Sequence, residues 1–335
     1  MKCPKSLVFA AIGAGLLAAC EQTAPPETYS EPGGEMTSTD MDADAGDVQS
    51  GETKLATLFD CVREEGGLLL AAHRGGPAPG YPENAIETLD HALSSAAFVM
   101  EVDIAESRDG TLFLMHDRTL GRTTSGSGAV ADTDWAAIAS LDLVDNEGTV
   151  TDFNPPTLDA ALDWAVENDA ILELDRKETT SFRKIVSAVR DAGATSNVIL
   201  ITYNDDQARQ VAKLAPEMMM TAGIGGPQHE AELLESGIDP DNLIAWTGTS
   251  TPVPGKWKAL AGKGIESAFG TLGRPGERLD DQYWADDDPS EYSELARGGL
   301  TMLATDEPYR LARADGWIGT AQDIARKECM GDFRD

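Results

Sequence analysis

Basic residues are scarce in this chain. Lys and Arg number 26 against 58 Asp and Glu, a net charge of −32. That argues against a nonspecific nucleic-acid binder, because phosphate backbones are held mainly by Lys and Arg. It leaves room for a small phosphorylated substrate, which needs only a few cations in one pocket. Cysteine is sparse too: there are four, and none stands in a CxxC or Cys/His zinc spacing. The apolar run Leu7–Ala19 is too short and too rich in Gly and Ala to span a membrane. No short-period repeat marks a solenoid. What remains is ordinary globular composition: 335 residues, 41% hydrophobic and 25% charged, enough for a sizeable core.

The first twenty residues read as an export signal. Lys2 and Lys5 precede the apolar run, and Leu17-Ala18-Ala19-Cys20 resembles the bacterial lipobox, where cleavage leaves the Cys as a lipid-modified N-terminus. Residues 1–20 are therefore expected to be a lipoprotein signal with Cys20 lipidated; a plain secretory signal is the alternative. Glu21 to Thr53 carries nine acids and no Lys or Arg, and shows neither helix nor strand period. Residues 21–54 are expected to be a disordered, self-repelling tether. Residues 55–335 form the folded domain. The expected location is outside the cytoplasm, on a membrane facing the periplasm or cell exterior. There a Cys61–Cys329 disulfide would persist and staple the first helix to the last; two separate buried thiols are the alternative.

From Leu55 onward, strand and helix patterns alternate. Short apolar runs at 68–72, 98–104, 112–115, 170–174, 198–202, 218–222, 243–246, 265–269 and 300–304 read as buried strands. Helical stretches lie between many of them: Ala85–Ala96, Leu158–Glu167, Ser181–Ala192 with a Ser cap, and Asp205–Leu214 with an Asp cap. The pattern predicts an α/β fold, a (β/α)8 TIM barrel with an inserted segment, Asp117–Asn154, after strand 3. Nine candidate strands are one more than the barrel needs.

The chemistry clusters at the C-terminal ends of the first four of these strands. His73-Arg74 follows the first, Glu101-x-Asp103 lies on the second, and His116-Asp117 follows the third. Glu173, Asp175 and Lys177 alternate on the fourth. Residues at i and i+2 on a strand share a face, so all four carboxylates can point into one barrel mouth. Converging carboxylates suit a hard cation such as Mg²⁺ or Ca²⁺. Cation and Arg74 would neutralise phosphate oxygens, Lys177 adds a point charge, and two His supply a general base and acid near neutral pH. His91 and His229 read as structural or exposed. Trp246, Trp257, Trp284 and Trp317 could line a substrate pocket or pack as core, and packing is the favoured reading for any one of them. Arg122–Gly128 lacks the Lys and the strand–loop–helix context of a nucleotide-phosphate loop.

His73-Arg74-Gly75, Pro82-Glu83-Asn84, Glu101-x-Asp103, Asp109-Gly110-Thr111, His116-Asp117, Arg122-Thr123-Thr124 and Thr305-Asp306-x-Pro308 together resemble the ordered motifs of glycerophosphodiester phosphodiesterases. The resemblance spans about residues 68 to 310. It implies a phosphoric diester hydrolase that cleaves glycerophosphodiesters to glycerol 3-phosphate and an alcohol with a divalent cation. It also implies His73 and His116 as the acid/base pair, Arg74 and Lys177 as substrate-binding groups, and Glu101 and Asp103 as metal ligands. Glu83 is implied as a substrate contact or a supporting polar group. The family's fourth strand usually ends Glu-x-Lys, whereas this chain has Asp175-Arg176-Lys177. Aligning on the Lys makes Asp175 the third metal ligand, and aligning on the Glu makes it Glu173; the first keeps the Lys. Ala85 stands where the family often has Thr. Two other functions remain open at this point: a phosphodiesterase on intact lipid, and a non-catalytic envelope lipoprotein. Attack by water and attack by a substrate hydroxyl are both compatible with these residues.

Overall fold

In a computed structural model of the chain, residues 54–95 and 98–331 are described. Cys20, the signal and nearly all of the acidic tether lie outside them. Among the described residues nine strands form: β1 (Leu69–Ala72), β2 (Phe98–Glu106), β3 (Leu112–Leu114), β4 (Ile171–Arg176), β5 (Val198–Ile201), β6 (Met219–Gly223), β7 (Leu243–Trp246), β8 (Glu266–Gly270) and β9 (Met302–Thr305). Eight are parallel neighbours in the order β1-β9-β8-β7-β6-β5-β4-β2, and β1 pairs with β2 to close the barrel. This is the expected (β/α)8 fold.

The ninth strand is β3. It runs antiparallel to β2, with Ile104 opposite Leu114 and Glu106 opposite Leu112, and takes no place in the barrel wall. A three-residue apolar run reads the same in either direction, so the sequence pattern did not separate it from the barrel strands. The inserted segment is thus the continuation of a hairpin on β2. It builds a small core of its own from Phe113, Met115, Leu120, Val130 and Ile138. It is tied back to the mouth by Asp145, whose carboxylate accepts from the N–H groups of Gly80, Glu147 and Thr149.

Alternation along each strand divides the core. Leu70, Val102, Leu172, Leu200 and Leu303 face the surrounding helices. Leu69, Ala71, Val99, Ile171, Ile199, Ile244 and Met302 face the barrel interior. The helix Lys54–Glu65 plugs the floor by adding Leu55, Phe59 and Val62 to that interior cluster. Cys61 on this helix is joined to Cys329, with a Cα–Cα separation of 5.7 Å. Ser181 caps its helix by accepting from Lys184 N–H. The cap of the helix Asp205–Leu214 is Asn204, not Asp205: Asn204 holds the extended backbone, and its side chain accepts from Gln207 N–H.

The floor carries one buried charge pair. Arg63 Nε donates to Glu266 Oε1 at 2.8 Å, and the Glu266 side chain is 2% exposed. Burial pushes this carboxyl up to about 7, against the opposing pull of Arg63, from an ordinary 4.5. The native state therefore holds a proton that the unfolded chain has released between those values. Glu266 contributes its full stabilisation below about pH 4.5 and loses it as pH rises through about 7. Glu266→Gln does not titrate. Urea denaturation at pH 5 and pH 8 is expected to show the parent losing ~1–3 kcal/mol relative to this variant over that range. A parent–variant difference that does not change with pH would contradict it.

Candidate active site

Inward positions on β2 and β4 turn from apolar to acidic toward the mouth. Val99, Glu101 and Asp103 lie opposite Ile171, Glu173 and Asp175 in register. Glu101, Asp103 and Asp175 each offer an oxygen, and the three oxygens lie within 4.8 Å of one another. Glu173 is not part of this group. It sits one inward position deeper, buried, and burial together with the nearby Asp175 pushes it up to about 8.

The three carboxylates are strongly constrained. Burial raises Glu101 well above the usual range, and the charges of Asp103 and Asp175 add to that; its Oε2 accepts from Arg74 N–H at 2.7 Å. Burial also works against an ionised Asp103, but Lys177, His116 and Asn84 outweigh it and hold its carboxyl below the ordinary value. Lys177 Nζ lies 2.5 Å from both Asp103 and Asp175. Asn84 explains the Glu-Asn pair. It takes a left-handed φ of 60°, which Asn tolerates better than most residues. From there Oδ1 accepts from Asp103 N–H and Nδ2 donates to the Asp103 carboxylate at 2.7 Å.

These residues fit a divalent cation. The donor set is all oxygen, the charge is concentrated, and Asp175 Oδ1 is buried with no hydrogen-bond partner. A buried carboxylate oxygen left unpaired is costly unless an ion takes it up.

Each of the two histidines at the mouth, His73 and His116, is backed by an aspartate, and each of these aspartates by an arginine. Ala72 on β1 is in register with Thr305 on β9, so the next residues, His73 and Asp306, emerge side by side. His73 Nδ1 lies 2.7 Å from Asp306 Oδ1. Asp306 in turn accepts from Arg278 Nη1 at 2.8 Å and from Gly273 N–H at 3.1 Å. Burial opposes ionisation of Asp306, but His73, Gly273 and Arg278 bring its carboxyl down to about 2. Because Asp306 is ionised, Nδ1 carries the proton in this contact, and Nε2 is left for chemistry. His73 Nε2 lies 4.0 Å from Glu101 Oε2. His116 repeats the plan: Nδ1 is 2.7 Å from Asp117 Oδ1, and Arg122 donates to both Asp117 oxygens. Bonding to Arg122 holds Asp117 far below the usual range. His116 does not end a barrel strand as expected. The β2–β3 hairpin brings it back to the level of Asp103, since Met115 N–H donates to Asp103 O.

Glu83 is 3% exposed and binds two guanidiniums, accepting from Arg74 Nη1 and from both terminal nitrogens of Arg122. It therefore fixes the arginines. Two cavities meet at His73. One, of about 370 Å³, is walled by Glu101, Glu173, Asp175, Tyr203, Trp246 and Leu272. The other, of about 460 Å³, is walled by Arg74, Glu83, Arg122, Arg278 and Asp306. Trp246 lines the first cavity, the less favoured of its two readings. Gly270 makes room for it, because a Cβ there would come within 2.9 Å of the indole ring. Trp257 is fully buried core and Trp317 is 37% exposed. His91 stacks on Tyr81, and His229 bonds Gly225 N–H and Asp205. Sequence reasoning missed Arg278 and Tyr203, and gave Asp117 and Asp306 no role. Asp117 and Asp306 sat inside quoted motifs; Arg278 and Tyr203 carried no motif signal.

Residues 73–228, just under half of the chain, match the model of the glycerophosphoryl diester phosphodiesterase family. A glycerophosphodiester phosphodiesterase of Caldanaerobacter subterraneus is 28% identical over 178 residues, covering 50% of this chain and 73% of that protein. An uncharacterized protein of Bacillus subtilis is 29% identical over 153 residues, covering 44% of this chain and 63% of its own length, less than two thirds. The crystal structure of a glycerophosphoryl diester phosphodiesterase from Parabacteroides distasonis superposes with a TM-score of 0.66 at 27% identity, covering 78% of this chain and 92% of that one. The matched segment contains His73, Glu83, Glu101, Asp103, His116, Asp175 and Lys177, and together with these relatives it supports membership of the glycerophosphoryl diester phosphodiesterase family.

Proposed function

We propose that the chain hydrolyses water-soluble glycerophosphodiesters to glycerol 3-phosphate and an alcohol. The observation that carries this reading is the pairing of two aspartate-backed histidines with one three-carboxylate cluster at a barrel mouth. His73 borders both cavities, so a diester with phosphorus at the junction has one cavity for each esterified alcohol. A divalent cation on Glu101, Asp103 and Asp175 would supply neutralisation of the phosphate oxygens. Lys177 balances part of the carboxylate charge, and Glu83 holds Arg74 and Arg122 in place at the second cavity. One histidine, neutral, accepts at Nε2 a proton of the attacking water as the water oxygen bonds to phosphorus; the other, protonated on both ring nitrogens, donates its Nε2 proton to the departing alcohol oxygen as the P–O bond breaks. Asp306 and Asp117 accept from Nδ1–H of each ring, so Nε2 of both faces the reaction, bare on the base and protonated on the acid.

The test is glycerol 3-phosphate release from glycerophosphocholine and glycerophosphoethanolamine by the purified full chain. Turnover confined to phospholipid vesicles would transfer the assignment to an intact-lipid substrate.

We also propose that this activity lies outside the cytoplasm, on a chain anchored through Cys20. The lipobox-like Leu17–Cys20 segment and the Cys61–Cys329 bond support this, since disulfides persist in oxidising compartments. Cys20→Ser is expected to leave the membrane fraction in its bacterial host; unchanged membrane association would contradict the anchor.

A further inference from the structure

We propose that Tyr203 is a positioning residue for the cation: its hydroxyl fixes the Asp175 carboxylate so that Oδ1 stays free for the ion. The inference rests on the metal-site reading given above. Tyr203 stands two residues beyond the end of β5, the barrel neighbour of β4, which carries Asp175. For a large aromatic side chain it is poorly covered, with the residue 68% exposed. Polar contacts hold it instead of packing. Its backbone N–H donates to Gln207 Oε1 at 2.9 Å, and its hydroxyl donates to Asp175 Oδ2 at 2.7 Å.

That hydroxyl gives Asp175 an asymmetry. Oδ2 accepts both from Tyr203 and from Lys177 Nζ at 2.5 Å, while Oδ1 is buried and accepts from nothing. Lys177 alone does not set this orientation firmly. Its ammonium is shared with Asp103 and sits on a flexible stem. The phenol is a rigid arm from the adjacent strand end, and it defines which oxygen is spent on protein and which is left over. A carboxylate held in this way meets an ion without first losing rotational freedom. Removal of such a supporting hydrogen bond is expected to cost about 10- to 100-fold in metal affinity.

The experiment is calorimetric titration of Mg²⁺ and of Ca²⁺ into the metal-free full chain, comparing the parent with Tyr203→Phe and with Asp103→Asn. Tyr203→Phe keeps the ring and removes only the hydroxyl. The expected result is a Kd raised about tenfold or more in Tyr203→Phe, with a metal-free melting temperature matching the parent. A Kd within twofold of the parent overturns the positioning role. A lowered metal-free melting temperature with unchanged Kd also overturns it, in favour of a purely structural bond. If the parent binds neither cation, or Asp103→Asn binds as tightly as the parent, the metal-site reading itself fails and the proposal falls with it.

Discussion

His116→Ala is expected to lower kcat/KM on glycerophosphocholine by about 10²- to 10⁴-fold, the usual size of a general acid or base contribution. His73→Ala is expected to do the same. Both rings are anchored through Nδ1 to an ionised aspartate, so each presents one nitrogen to the substrate. Two groups that pass a proton in one displacement act as a unit, so the double variant should lose far less than the product of the single losses. The loss should fall on kcat, because neither imidazole belongs to the carboxylate cluster that would hold the cation. Activity within threefold of the parent in either purified, folded single variant would remove that histidine from the mechanism. A rise in KM alone would demote it to a binding group.

Loss of the Cys61–Cys329 bond is expected to be the largest single stability change in the domain. The two residues are 268 positions apart. Constraining so long a loop in the unfolded chain is worth about 5–6 kcal/mol by chain entropy, and measured losses of native disulfides run at about 2–5 kcal/mol. The bond also ties the helix Lys54–Glu65 to the C-terminal turn around Cys329, and that helix closes the barrel floor with Leu55, Phe59 and Val62. The Cys61→Ser/Cys329→Ser double variant is therefore expected to unfold at lower urea, with a loss of about 2–5 kcal/mol. A urea midpoint equal to that of the oxidised parent would show that the helix is held by its packing alone.

The barrel was legible because its signal is periodic. Buried parallel strands are continuous apolar runs, and helices between them begin at Thr157 and Ser181 caps, while the cap read at Asp205 is supplied by Asn204 one residue earlier. The inward acids were legible for the same reason: Glu101 and Asp103, like Glu173 and Asp175, alternate on strands. Depth was not. Register puts Glu173 level with Glu101, yet the three clustered oxygens belong to Glu101, Asp103 and Asp175. The aspartate that backs His73 was hidden because the contact depends on closure. His73 meets Asp306 only when β1 pairs with β9 across 233 positions of sequence. Arg278 and Tyr203 lie in loops, where spacing carries no face information. Trp246 stayed open between packing and pocket lining because an indole at the end of a strand looks alike in sequence whether it packs inward or walls a cavity.

Phosphodiester cleavage by two histidines with one cation on Glu101, Asp103 and Asp175 is the proposed activity. It is tested most directly by following glycerol 3-phosphate release from glycerophosphocholine by the full chain, first with chelator and then with Mg²⁺ or Ca²⁺ restored. Release is expected to stop with chelator and to return on adding back one of the cations. Release that continues undiminished in chelator, or none under any condition from folded protein, would contradict it.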